Sequence, residues 1–117
     1  MKKLLLLLTL LVSGGAWADC SNIDSSTDKR ECYQQKLKFA DQKLLSTYQE
    51  SLRMTSSESK QKLIKAQRLW VQYKEADCLY DASRIDDRTG FTSNQLACLI
   101  KKSTTREQEL KDRLGDN

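Results

Sequence analysis

The chain has almost no means of bending. Proline is absent from its 117 residues, and beyond Gly15 glycine occurs only at Gly90 and Gly115. The residues that break helices or permit tight turns are therefore missing from nearly the whole length. Apolar residues recur at intervals of three and four among charged ones, which make up 31% of the chain; that spacing lines apolar side chains along one side of a helix. The fold class expected is all-α: a few long helices with short connections.

Before the helices comes a leader. Lys2 and Lys3 precede an apolar run from Leu4 to Val12 broken only by Thr9, and Ala16-Trp17-Ala18 supplies small residues around a cleavage point. Residues 1–18 read as a secretory signal peptide, which gives a mature chain beginning at Asp19 and a periplasmic or secreted destination. The run is too short for a stable membrane anchor, and no second apolar stretch follows. Lipidation at Cys20 is not expected, because Asp19 and Trp17 stand where a small residue and a leucine are needed. The formal net charge is +4, of which Lys2 and Lys3 supply two, leaving +2 dispersed along the rest. That balance points to neither nucleic acid nor an anionic membrane surface as a partner.

Residues 19–117 divide into three helical segments and form one domain. The first is expected to start near Asp28, where Asp28-Lys29-Arg30-Glu31 has capping-box spacing, with Tyr33, Leu37, Ala40, Leu44, Tyr48 and Leu52 on its apolar side. Thr55-Ser56-Ser57-Glu58 is a second capping box, so close behind that the first two helices should form an antiparallel pair. The second helix places Leu63, Ala66, Trp70, Tyr73, Ala76 and Tyr80 on its stripe and should fade between Ser83 and Asp87. Arg84 to Phe91 reads as the main loop, with Gly90 free to take a positive φ. Thr92-Ser93-Asn94-Gln95 begins the third helix, whose inward residues should be Leu96, Leu99, Ile100, Leu110 and Leu114. Its middle, Ser103-Thr104-Thr105-Arg106, is polar where the stripe should be apolar.

Four cysteines, Cys20, Cys32, Cys78 and Cys98, all follow the leader. In an exported chain this small, an even count reads as two disulfides that supplement a modest core. Cys32 and Cys78 are equidistant in sequence from Thr55, so an antiparallel hairpin gathers all four sulfurs at one pole and leaves three pairings open. Cys20–Cys32 with Cys78–Cys98 is preferred because each then closes a local loop. The expected architecture is thus a small three-helix bundle with two disulfides.

Chemistry has little to work with. There is no histidine, which removes the commonest general base, the usual partner of a nucleophilic serine or cysteine, and the commonest zinc ligand. Neither a nucleophile elbow, a phosphate-binding glycine loop nor an EF-hand loop is present. No catalytic residue, metal or cofactor is expected, and the chain reads as a non-enzyme. A carboxylate-dependent enzyme acting on peptidoglycan through Asp86 with Asp77 or Asp81 is the remaining catalytic alternative. Tyr33, Tyr48, Trp70, Tyr73 and Tyr80 fall at helical spacing and are expected to be core, and Arg106 to be a semi-buried structural cation. The candidate surface for a protein partner is the loop, through Arg84, Arg88, Thr89 and Phe91.

The combined pattern is Cys20 and Cys32 about the first helix start, Leu44 and Tyr48 along it, Leu63-x-x-Ala66-Gln67-x-x-Trp70-x-x-Tyr73, then Cys78, Cys98 and Arg106-x-x-Glu109-Leu110. It resembles the LprI-like lysozyme-inhibitor family of small secreted bacterial envelope proteins, over nearly all of the chain after the leader. Gln67, Trp70, Tyr73 and Arg106 stand in the family's structural motif. The loop departs from the family in carrying Thr89-Gly90 where Gly-Gly is frequent. The resemblance implies a helical envelope domain whose partner is lysozyme, blocked at its substrate cleft. An envelope structural, stress or immunity protein with another partner is the alternative.

Overall fold

The computed structural model describes residues 20–85 and 92–115. A 3-10 turn, Cys20–Asn22, leads into three α-helices: α1 (Ser26–Met54), α2 (Ser57–Ile85) and α3 (Ser93–Gly115). Each helix starts at a hydroxyl cap. Ser25 has extended backbone angles and its Oγ accepts from the Asp28 N–H at 3.3 Å; Ser56 Oγ accepts from Ser59 N–H at 3.2 Å; Thr92 Oγ1 accepts from Gln95 N–H at 3.1 Å. The first helix thus begins earlier than the Asp28 box suggests, because Ser25 satisfies an orphan N–H and leaves Asp28 in the first turn, where its charge suits the helix dipole. Only Thr55 and Ser56 separate α1 from α2.

The three helices form a bundle organised around α3, which packs along both α1 and α2, while α1 and α2 scarcely touch each other. Pairings fix the directions. Ser103 meets Asp41 and Glu107 meets Thr47, so α3 runs parallel to α1; Arg106 meets Gln67 and Cys98 is bonded to Cys78, so it runs antiparallel to α2. The first two helices are therefore antiparallel as expected, but they do not pack as a pair: α3 takes the place each was expected to offer the other.

The disulfides are Cys20–Cys32, which ties the 3-10 turn to the start of α1, and Cys78–Cys98, which clasps α2 to α3. Chain-entropy arguments assign about 3 kcal/mol to loops of these lengths. That support matters because the buried apolar set among the described residues is small: Ala40 and Leu44 from α1, Ala82 from α2, Leu96, Leu99 and Leu110 from α3, and the half-cystines Cys20 and Cys78.

Burial corrects several expectations. On α1 the enclosed residues are Ala40, Leu44, Thr47 and Ser51, a narrow line of mostly small side chains, and Tyr33, Leu37, Tyr48 and Leu52 flank it half-buried. Ile100 and Leu114 are likewise half-buried on α3. The largest difference is on α2. Trp70 and Leu63 are half-buried, but Ala66, Tyr73, Ala76 and Tyr80 are exposed, so Tyr73 and Tyr80 are not core. The reason is geometric: the Cys78–Cys98 bond and the Gln67–Arg106 hydrogen bond turn a neighbouring side of α2 toward α3.

Candidate functional site

The polar middle of α3 is not a break in its stripe. Leu96, Leu99, Ser103, Arg106, Glu107 and Leu110 are all buried and recur at helical spacing, so the polar residues continue the inward side. Each has partners. Ser103 Oγ donates to Asp41 Oδ1 at 2.7 Å, and Thr47 Oγ1 donates to Glu107 Oε2 at 2.7 Å, with Lys111 Nζ 3.6 Å from the same carboxylate oxygen. These bonds latch α3 to α1. A buried carboxylate is tolerated when it accepts bonds of this kind and is costly otherwise.

Arg106 makes the corresponding latch to α2. Its side chain is 8% exposed; Nε donates to Gln67 Oε1 at 2.9 Å and Nη1 to Glu109 Oε1 at 3.2 Å. The guanidinium carbon lies 6.0 Å from the Trp70 ring centre, a cation–π approach. Nη2 is enclosed and has no hydrogen-bond partner.

Beside this latch, α2 and α3 bound a groove of about 510 Å³ lined by Trp70, Tyr73, Asp77, Lys102, Arg106 and Glu109 among others. Lys102 organises it. Its ammonium pairs with Asp77 Oδ2 at 2.8 Å, donates to the Tyr73 hydroxyl at 3.1 Å and lies 4.5 Å from that ring's centre. The hydrogen bonds to Asp77 and then Tyr73 hold its pKa above the ordinary 10.5, against a smaller opposing effect of burial. The ammonium of Lys102 is thus held in the groove with its charge balanced by Asp77.

Of the residues singled out in the sequence, Gln67, Trp70 and Arg106 are brought together, and Tyr73 stands in the same groove through Lys102. Arg84 belongs to the last turn of α2 rather than to a loop; it is exposed, pairs with Asp81 at 3.2 Å and lies 5.9 Å from the Tyr80 ring. Arg88, Thr89 and Phe91, together with Asp86 and Asp87, lie outside the described residues. Asp77 and Asp81, the other carboxylates considered for catalysis, are each occupied by a cation of the chain itself. Among the described residues no cluster of three metal-ligating side chains occurs, and no helix is long and apolar enough to cross a membrane.

Sequence reasoning missed Lys102, Asp77, Ser103, Glu107, Asp41 and Thr47 as structural partners. A signal existed for α3: extending the phase of Leu96 and Leu99 reaches Ser103, Arg106 or Glu107, and Leu110. For Lys102 there was none, since lysines are frequent throughout.

No curated protein and no solved structure matches the chain. A family model described as lysozyme inhibitor LprI matches residues 18–110. The match takes in the four cysteines, the whole of α1 and α2, and α3 as far as Leu110, the last of its buried leucines. On the strength of that coverage, the chain belongs to the LprI lysozyme inhibitor family.

Proposed function

We propose that this protein is an inhibitor of lysozyme in the bacterial cell envelope, acting without catalysis by forming a stoichiometric complex that blocks the substrate cleft. The observation that carries the reading is the family match across all three helices. The architecture is compatible with it. Disulfides clasp a small scaffold at Cys20–Cys32 and Cys78–Cys98, and α2 ends in the exposed Arg84. A scaffold of this kind can present a recognition loop at little entropic cost.

Lysozymes cut glycan through carboxyl groups in an open cleft. A blocking protein needs donors that can satisfy those groups and an apolar anchor that excludes water around them. Arg84, Arg88, Thr89 and Phe91 are the residues proposed to supply these, two cations and a hydroxyl beside an aromatic ring. At the net charge of +2 that remains when Lys2 and Lys3 of the leader are left out of the +4 total, long-range attraction contributes little to encounter with a basic enzyme. Local contacts would have to carry the affinity.

The test is titration of the disulfide-intact protein against a c-type lysozyme acting on bacterial cell walls. The expected result is loss of lysis that completes near equivalence. Arg88→Glu should weaken the complex by about 1 kcal/mol or more; inhibition undiminished in that variant removes the loop from the interface, and lysis unaffected by the unaltered protein removes the function.

A further inference from the structure

The exposed side of α2 is the most unusual surface of the molecule. Ala66, Leu69, Tyr73, Ala76 and Tyr80 recur at intervals of three, four, three and four, so they lie along one side of the helix, and every one of them is exposed. Leu69 is 55%, Tyr73 55% and Tyr80 63% exposed. A surface helix normally turns such a stripe inward. Here the Cys78–Cys98 bond and the Arg106 latch turn a different side of α2 toward α3 and leave this one without cover.

In the groove next to the stripe the acids are paired and a cation is to spare. In the adjoining groove Asp77 is paired with Lys102 and Glu109 with Arg106, and Asp81 is paired with Arg84 at the end of the helix. Asp77, Glu109 and Asp81 are thus each paired with a cation of the chain itself. Lys101, which lines the groove, has no ion pair among the described residues, and the enclosed Arg106 Nη2 has no acceptor. Glu109 holds Nη1 with one oxygen at 3.2 Å and is itself half-exposed, so that pair stands at the solvent edge of the groove. Tyrosine, tryptophan and arginine, the residue types that dominate binding energy at protein interfaces, are concentrated here as Tyr73, Tyr80, Trp70, Arg84 and Arg106.

We infer that this side of α2 is a docking surface that lies against the carboxylate-lined cleft of the lysozyme, an inference that rests on the inhibitor reading above. Leu69, Tyr73 and Tyr80 are the anchors, in the manner of a helix laid into a groove. Ala66 and Ala76 let the helix approach closely, and the donors beside them face the cleft's acids. Arg84, in the last turn, stands at the C-terminal end of this surface.

The experiment compares inhibition constants for the disulfide-intact protein and three variants: Leu69→Glu, Tyr73→Ala and, as a control of equal exposure on α1, Leu45→Glu. Circular dichroism melts verify folding, and sedimentation velocity reports self-association. The first two variants are expected to weaken inhibition by about tenfold or more while Leu45→Glu leaves it unchanged. Unchanged inhibition in both α2 variants overturns the docking surface while the inhibitor reading stands. Absence of inhibition by the unaltered protein overturns both. A dimer that Leu69→Glu disperses without altering inhibition assigns the stripe to a second copy of this chain and likewise overturns the inference.

Discussion

The two sides of α3 hold their neighbours by different means. Toward α1 the contact is enclosed: Ala40, Leu44, Thr47 and Ser51 are buried, and the Thr47–Glu107 and Ser103–Asp41 hydrogen bonds fix the register. Toward α2 the contact is a covalent clasp with a partly open groove beside it, where Lys102 and Arg106 bridge to side chains that solvent also reaches. One helix is integrated by packing, the other is held by a few strong points. The second arrangement leaves α2 with Leu69, Tyr73 and Tyr80 exposed along one side. The comparison teaches that a small domain can anchor one helix for stability and reserve another for contact, provided that covalent attachment replaces the burial given up.

That contrast can be broken most forcefully at the clasp. Replacing Cys78 and Cys98 together by alanine should cost about 3 kcal/mol of stability, and hydrogen exchange should show α2 losing protection before α1 and α3 do; equal loss in all three helices would mean that α2 is held by packing after all. The α1 side should be the more sensitive to a single polar deletion. Glu107→Ala strands the buried Thr47 hydroxyl and is expected to cost about 2 kcal/mol in denaturant unfolding, with much of the loss recovered when Thr47→Val is added. The smallest effect is electrostatic. Because the folded structure holds the Lys102 ammonium above 10.5, its contribution is complete below that value and disappears as pH climbs through the folded pKa. Stability measured between about pH 10 and 12 should therefore fall less steeply in Lys102→Met than in the unaltered protein. A slope that is the same in both would sever Lys102 from the α2 contact.

Local chemistry was readable from the residues in order along the chain. Thr92 caps the third helix where its spacing to Gln95 says it should, because a cap is decided within four residues, whereas the second helix is capped by Ser56, one position after the Thr55 of the expected box. The pairing Cys20–Cys32 and Cys78–Cys98 follows from short loops for the same reason. What covers an amphipathic face is a tertiary matter, and there the residues gave less. The apolar stripe of α2 is as regular as that of α1, yet periodicity alone cannot say that α3 will take the side of Gln67 and Cys78 instead of the side of Tyr73 and Tyr80. The middle of α3 failed in the opposite direction. Ser103 belongs to a stretch that reads as an interruption of the stripe, yet it is inside, as is Glu107, because Asp41 and Thr47 wait on a helix some sixty positions away. Of the candidate site, Gln67 and Arg106 both stand in the motif noted in the sequence, whereas Lys102 emerges only when Asp77 and Tyr73 are seen around it.

The scant contact between α1 and α2 has a consequence for the order of events as the chain is made. The residues of both helices precede those of α3 in the chain, and in the folded structure the two scarcely touch. The hydrogen bonds that fix the register of α3 on α1 join residues 60 and 62 positions apart, so loop closure must precede any reward from them. Tertiary structure in this fold therefore waits for the segment after Ser93, because α3 is the helix on which both of the others pack.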